Sequence, residues 1–229
     1  TGAAPPELER RYGGYPAMFR ALLAPQLPGA AFSTTRVSSG ETPPPPSAVD
    51  GVLITGSPAG VYDGLPWIEP LKAYIRDVAA ARRPQVGICF GHQIMAEAFG
   101  GRVEKSDKGW GVGVHDYRID AAPPWMTPTV SRLACAVSHQ DQVVEKPAMA
   151  RRIGGSDFCE NGVLAYEHAP AISFQMHPEF ETAFGRDLLA ARRGRIPADR
   201  VDAGLASYQT PSDRGTIAGW IAQFYRTAR

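Results

Sequence analysis

The residues best suited to covalent chemistry lie in Gly87-Ile-Cys-Phe-Gly91, where a thiol sits between two glycines. An apolar run, Val86 to Ile88, precedes it as a short buried strand, and Gln93 to Phe99 follows with the spacing and residue types of a helix. A glycine, one residue, a nucleophile, one residue and a second glycine between strand and helix is the pattern of a nucleophile elbow, which turns the middle side chain outward. Side chains at the flanking positions would collide as the chain doubles back. A thiol there faces the positive end of a helix, which favours thiolate. Cys89 is therefore the candidate nucleophile, against the bland alternative that a lone cysteine is a small buried hydrophobe.

A cysteine nucleophile needs a histidine, and the histidine needs an orienting carboxylate or amide. Of the five histidines, His92 is expected to turn away along the helix, and His115 and His168 carry no signature. Two have a carboxylate two residues on: His139-Gln-Asp141 and His177-Pro-Glu179. Both follow an apolar strand, so spacing alone leaves both open, although Pro178 would hold the second imidazole and carboxylate in a defined relation. No H-E-x-x-H or comparable ligand spacing suggests a metal, and nothing suggests a cofactor. Gly109-Trp-Gly-Val-Gly113 lacks the phosphate-loop spacing and reads as strand glycine.

The elements that must position these groups read as strand, helix, strand, helix in the first half. Val49 to Thr55 is expected as a strand buried on both faces, Pro66 to Ala81 as an amphipathic helix with Trp67, Leu71, Tyr74, Ile75 and Val78 on one face, and the elbow follows. That order implies parallel strands joined by right-handed crossovers, with the site at their carboxyl ends. Thr42 to Ser47 is a short polyproline-type connector. Beyond Gly100-Gly101 the pattern shifts to less regular, partly antiparallel strands: Trp110 to Ile119, Arg132 to Val137, then Ile153 to Phe158 and Gly162 to Tyr166 around Glu160-Asn-Gly162. Ala171 to Gln175 is a further buried strand, and the tail is helical, with Thr210-Pro-Ser-Asp213 as a capping-box-like start. Tyr15 to Leu23 reads as a helix with no strand before it. Parallel α/β domains normally supply one, so the expectation is that a first strand precedes Thr1 in the native protein.

At 229 residues, with 44% hydrophobic and 21% charged residues, the chain fits one soluble domain. A net charge of +1 makes no case for nucleic acid or an anionic membrane, which leaves a small molecule or a protein as partner. Three cysteines without a C-x-x-C pair suggest no disulfide framework, and no signal-peptide core or membrane-length apolar run is present, so the cytoplasm is the expected compartment.

Together these residues resemble the class I glutamine amidotransferases, a Cys-His-Glu family that releases ammonia from glutamine. Gly87-Ile-Cys-Phe-Gly-His-Gln93 is similar to the family's nucleophile motif, Phe174-Gln-Met-His-Pro-Glu179 to its histidine and glutamate motif, Thr55-Gly-Ser-Pro58 with Val61-Tyr-Asp63 to its oxyanion loop, and Ser138-His-Gln-Asp141 to its substrate-side motif. The resemblance spans about Val49 to Phe180. It implies a flavodoxin-like three-layer α/β fold for a single domain over residues 1–229: a central, mostly parallel sheet with helices on both faces, a small antiparallel element, and a helical extension over about 181–229. It also implies Cys89 as nucleophile, His177 as proton carrier and Glu179 as its orienting carboxylate, which moves His139 from base to binding loop. Backbone N–H groups of Ser57 and Phe90 would hold the oxyanion, and Gly56, Gln93, Ser138, His139 and Gln140 would border the substrate.

The implied activity is hydrolysis of the side-chain amide of glutamine or a γ-glutamyl conjugate through a cysteinyl thioester, with ammonia passed to a separate synthetase. The alternatives are a stand-alone γ-glutamyl peptide or amine hydrolase, a non-catalytic regulatory or binding subunit that kept the fold, and a generic Cys-His hydrolase of the chaperone branch. Two departures stand out. Gly56-Ser57 replaces the two consecutive glycines common in the oxyanion loop, and no synthetase domain accompanies the chain.

Overall fold

A computed structural model describes residues 1–228. Two helices, α1 (Pro6–Tyr12) and α2 (Tyr15–Leu23), open the chain, followed by a long connection to the strand β1 (Val52–Ile54) and the helix α3 (Ile68–Ala80). The elbow joins β2 (Gln85–Ile88) to α4 (Phe90–Ala98). Strands β3 (Arg102–Lys105), β4 (Gly111–Ile119), β5 (Arg132–His139), β6 (Asp141–Glu145), β7 (Ala150–Gly155), β8 (Val163–Tyr166) and β9 (Ala171–Phe174) come next. Helices α5 (Thr182–Ala191), α6 (Ala198–Ser207) and α7 (Arg214–Thr227) close the described chain.

The main sheet has the order β1-β2-β9-β8-β7-β4-β5, and β3 and β6 form a separate antiparallel pair. β1, β2 and β9 run parallel, and the remaining four strands continue antiparallel, a larger antiparallel share than the sequence suggests. The reason is the connections: β7 to β8 and β8 to β9 are too short for a helical crossover, so these strands must reverse. The four reversals from β9 to β5 leave β5 pointing the same way as β9. The sheet also curls, since His177 N–H donates to the Ala136 carbonyl of β5 at 2.8 Å. Ser138 and His139, at the carboxyl end of β5, thereby join the same edge as the ends of β1, β2 and β9.

Alternation along the strands feeds two cores. Val86, Ile88, Ile172 and Phe174 face α2 and α7, where Leu23, Ile217, Trp220 and Ile221 are buried. Ile54, on the other face, packs with Ile68, Leu71 and Ile75 of α3 and with Phe90, Ile94 and Met95 of α4. Each fully buried side chain of this kind contributes about 1.5–3 kcal/mol. β1 is shorter and less buried than expected, with only Ile54 fully covered, because it lies at the edge of the sheet. The start of α7 differs too. Asp213 makes no cap bond, and its Oδ2 instead accepts from the Ala134 N–H at 2.7 Å, tying the helix to β5. Among the described residues no helix is long and apolar enough to cross a membrane.

Close backbone approach at the elbow makes one glycine costly to replace. A Cβ at Gly91 would run into the Ile54 carbonyl, backbone that cannot swing aside, whereas one at Gly219 in α7 meets nothing within 4 Å. Gly91→Ala is therefore expected to lose at least about 1–3 kcal/mol of unfolding free energy. Gly219→Ala should gain about 0.4–1 kcal/mol. Urea denaturation of the two variants distinguishes the signs.

Candidate active site

Cys89 ends β2 and caps α4 with φ 53° and ψ −106°, a left-handed conformation that a non-glycine residue adopts only under constraint. Its N–H donates to the Phe174 carbonyl of β9 at 2.8 Å, which ties the turn to the sheet. The flanking glycines are needed as expected: a Cβ at Gly87 would lie 2.5 Å from both the Gly91 carbonyl oxygen and Met95 Sδ. The side chain is nearly covered, however. Cys89 is only 5% exposed and borders a small cavity of about 30 Å³. Gly56, Ser57, Pro58, Tyr15 and Phe180 line it with Cys89.

His177 and Glu179 follow β9 and reach the same cavity edge. His177 Nδ1 lies 2.7 Å from Glu179 Oε1, and both His177 and Cys89 line the cavity. The ring stacks on Phe180 at 4.0 Å between centroids and 13° between planes, which fixes its tilt. Glu179 is fully buried, and its Oε2 has no partner among the described residues, so little solvent screens its charge from the imidazole. Burial opposes a charge on His177, but the Glu179 carboxylate and the Cys89 sulfur outweigh it and raise the ring to about 10.

The other buried histidines differ. Burial pushes His92 and His139 down to about 3, and neither has a carboxylate against its ring. His92 turns away from the cavity and meets Ser173 Oγ at 2.8 Å. His139 Nδ1 lies 3.0 Å from the main-chain carbonyl of Asp141 rather than its carboxylate. Of the two histidine and carboxylate pairs open from spacing, only His177 and Glu179 therefore form a side-chain pair.

A Cβ at Gly56 would lie 3.0 Å from His177 Cε1 and 3.7 Å from Cys89 Cβ, so the loop after β1 passes over both groups. Thr1 fastens that loop, its hydroxyl donating toward the Thr55 and Gly56 carbonyls at 2.9 Å. Ser57 Oγ accepts from the Ala59 N–H at 3.2 Å, and the Ser57 N–H has no protein acceptor among the described residues. Phe90 is the first residue of α4, where an N–H has no partner within the helix. Ser138 lines the cavity, but Gln93 does not. Gln93 is 3% exposed, and its amide nitrogen bonds to the Asp141 carbonyl at 2.8 Å and to Gln175 Oε1 at 3.1 Å. His139 and Gln140 also lie outside the cavity lining. Two lining residues, Tyr15 and Arg192, carry no signal in the sequence because each comes from a helix remote from every motif.

A layered α/β protein with a strained cysteine elbow and a histidine-carboxylate pair at the carboxyl ends of its parallel strands is thus defined. The sequence model described as "Glutamine amidotransferase class-I" matches residues 31–192. The chain belongs to the class I glutamine amidotransferase family. It is 30% identical to gamma-glutamyl peptidase 2 of Arabidopsis thaliana over 76% of this chain and 71% of that protein. It is 31% identical to a glutamine-hydrolyzing GMP synthase subunit of Archaeoglobus fulgidus over 61% of this chain and 72% of that protein. A glutamine amidotransferase from Thermotoga maritima has the same fold, with a TM-score of 0.75 at 19% identity over 86% of this chain and 87% of that one.

Proposed function

We propose that the protein hydrolyses γ-glutamyl amides through a Cys89 thioester. The observation that carries this is the His177–Glu179 pair, whose histidine lines the same cavity as Cys89 at its strained elbow. His177 keeps its proton at neutral pH, and in the proposed reaction Cys89 acts as the thiolate beside it. The sulfur attacks the side-chain carbonyl carbon of the γ-glutamyl group, and the oxyanion accepts from the Phe90 and Ser57 N–H groups. As the carbon–nitrogen bond breaks, the imidazolium passes its proton to the departing amine. Neutral His177 then takes a proton from water, hydroxide attacks the thioester carbon, and Cys89 leaves as thiolate, returning the pair to its starting state with free glutamate released. Gly56 and Ser138 border the bound group, and His139, Gln93 and Gln140 act from behind the wall.

Similarity to a γ-glutamyl peptidase supports a conjugate as substrate. Similarity to a glutamine-hydrolyzing GMP synthase supports the second reading, in which glutamine is the substrate and ammonia passes to a separate synthetase. Purified protein assayed against glutamine, γ-glutamyl dipeptides and γ-glutamyl amines separates them: conjugates are expected to be turned over faster than glutamine in the absence of any partner. A preparation that turns over none of these, and whose Cys89 escapes a glutamine-based affinity label, would leave the non-catalytic reading standing.

A further inference from the structure

Arg192 brings a positive charge with no carboxylate partner among the described residues to the cavity that holds Cys89. It caps the carboxyl end of α5, where a cation is favoured by the helix dipole, and its side chain turns inward. Nη1 donates to Ser138 Oγ, and the guanidinium lies 5.9 Å from the centroid of the Trp110 ring. Among the described residues no carboxylate oxygen lies within ion-pair distance of it, whereas its neighbour Arg193 pairs with Asp202 at 2.8 Å. Tyr15, which lines the same cavity, makes no side-chain hydrogen bond among the described residues. Burial raises its pKa, so the phenol keeps its proton and can donate.

Keeping a partly buried guanidinium without a carboxylate partner costs desolvation energy that the helix end, the Ser138 hydroxyl and the Trp110 ring return only in part. Burial pushes Arg192 below its usual value without removing the charge, because an arginine does not lose its proton in a protein. Only one of its five N–H donors is engaged by Ser138, and the planar fork matches a carboxylate with two parallel bonds. A ligand carboxylate would therefore gain a charge-assisted pair and two flanking hydroxyls in one step.

Resting on the γ-glutamyl reading above, we propose that Arg192, with Ser138 and Tyr15, anchors a substrate carboxylate and so restricts the enzyme to amides that carry one near the scissile bond. Two carboxylates fit that chemistry: the α-carboxylate of the γ-glutamyl group, and the carboxylate of a departing amino acid. An anchor for the first acts on every γ-glutamyl amide. One for the second selects peptides over simple amines.

Binding is tested by calorimetry in Cys89→Ala protein, which cannot turn substrate over. γ-Glutamyl-methylamide presents only the α-carboxylate, and 4-aminobutyryl-glycine only the leaving-group carboxylate. Arg192→Gln in that background is expected to weaken one of the two by about 10–100-fold, the loss of a hydrogen-bonded charge pair, and the compound affected identifies which carboxylate is held. Arg192→Lys should recover part of the affinity, since it keeps the charge but not the fork. In Cys89-intact enzyme the same change should raise KM more than it lowers kcat.

Unchanged affinity for both compounds in folded Arg192→Gln protein, or no binding of either by the Cys89→Ala protein, overturns the anchor. Should Arg192→Gln fail to fold, equal affinities of the Arg192→Lys and parent proteins for both compounds overturn it as well. Turnover by the wild type is read separately. Absent turnover with an Arg192-dependent affinity removes the hydrolase and keeps the anchor. Normal turnover with an unchanged KM in Arg192→Gln keeps the hydrolase and removes the anchor.

Discussion

Cys89→Ala should reduce γ-glutamyl amide turnover by roughly 10⁴–10⁶-fold, and Cys89→Gly should be equally inactive yet measurably more stable than the alanine variant. Both remove the only atom able to form the thioester, so a donor-lined cavity alone remains to act on the substrate. The stability difference comes from the backbone. At φ 53° and ψ −106° a Cβ is crowded by the main chain, at a cost of about 1–3 kcal/mol. Glycine relieves that crowding and returns part of the gain as extra freedom of the unfolded chain, about 0.5–1 kcal/mol. A net advantage of about 1 kcal/mol for Cys89→Gly over Cys89→Ala is expected in urea unfolding. Equal stabilities would mean that the strain at the elbow is no larger than the unfolded-chain freedom glycine adds, about 0.5–1 kcal/mol.

The same strain explains why the elbow is legible in the sequence and much of its surroundings is not. A turn that reverses a strand into a helix over one residue needs glycine on both sides, so Gly87 and Gly91 announce it locally. The amphipathic pattern of α3 and the buried run of β9 are also local, and both elements form close to where that pattern puts them. Enclosure of Cys89 is not local. It depends on Tyr15 near one end of the chain and Phe180 and Arg192 near the other, brought together by packing across the sheet. Periodicity carries no record of such contacts. Likewise Asp213 looks like a helix cap in sequence, but the unpaired Ala134 N–H of β5 competes for its carboxylate and wins it. The choice between His139 and His177 stays open in the sequence for a related reason: a carboxylate two residues on does not say whether the ring meets it or the neighbouring main chain.

That last distinction underlies the second large effect, expected in Glu179→Gln. His92, His139 and His177 are all buried, yet the two without a carboxylate are pushed down to about 3 and the one beside Glu179 is raised to about 10. The substituted amide would keep a hydrogen bond to Nδ1 but remove the charge, and burial would then draw the ring down toward the behaviour of its two neutral counterparts. At neutral pH the imidazolium needed to protonate the departing amine would be depleted, and kcat should fall by roughly 10²–10⁴-fold. The alkaline limb of the pH–rate profile, set by loss of the His177 proton, should move acidward by about one unit or more. Stability should follow the same sign. A raised histidine stabilises fully below its unfolded value near 6.5, and that contribution is lost as pH rises through its folded value, so unfolding free energy should decline between about pH 6.5 and about 10. In Cys89→Ala protein the sulfur's share of the shift is gone, so the decline should end at a lower pH and report the Glu179 share alone. Adding Glu179→Gln should then flatten it, because the ring no longer binds its proton more tightly in the folded state. An unchanged rate profile in Glu179→Gln, together with an unaltered slope of stability against pH, would show that the 2.7 Å contact orients the ring without holding its charge.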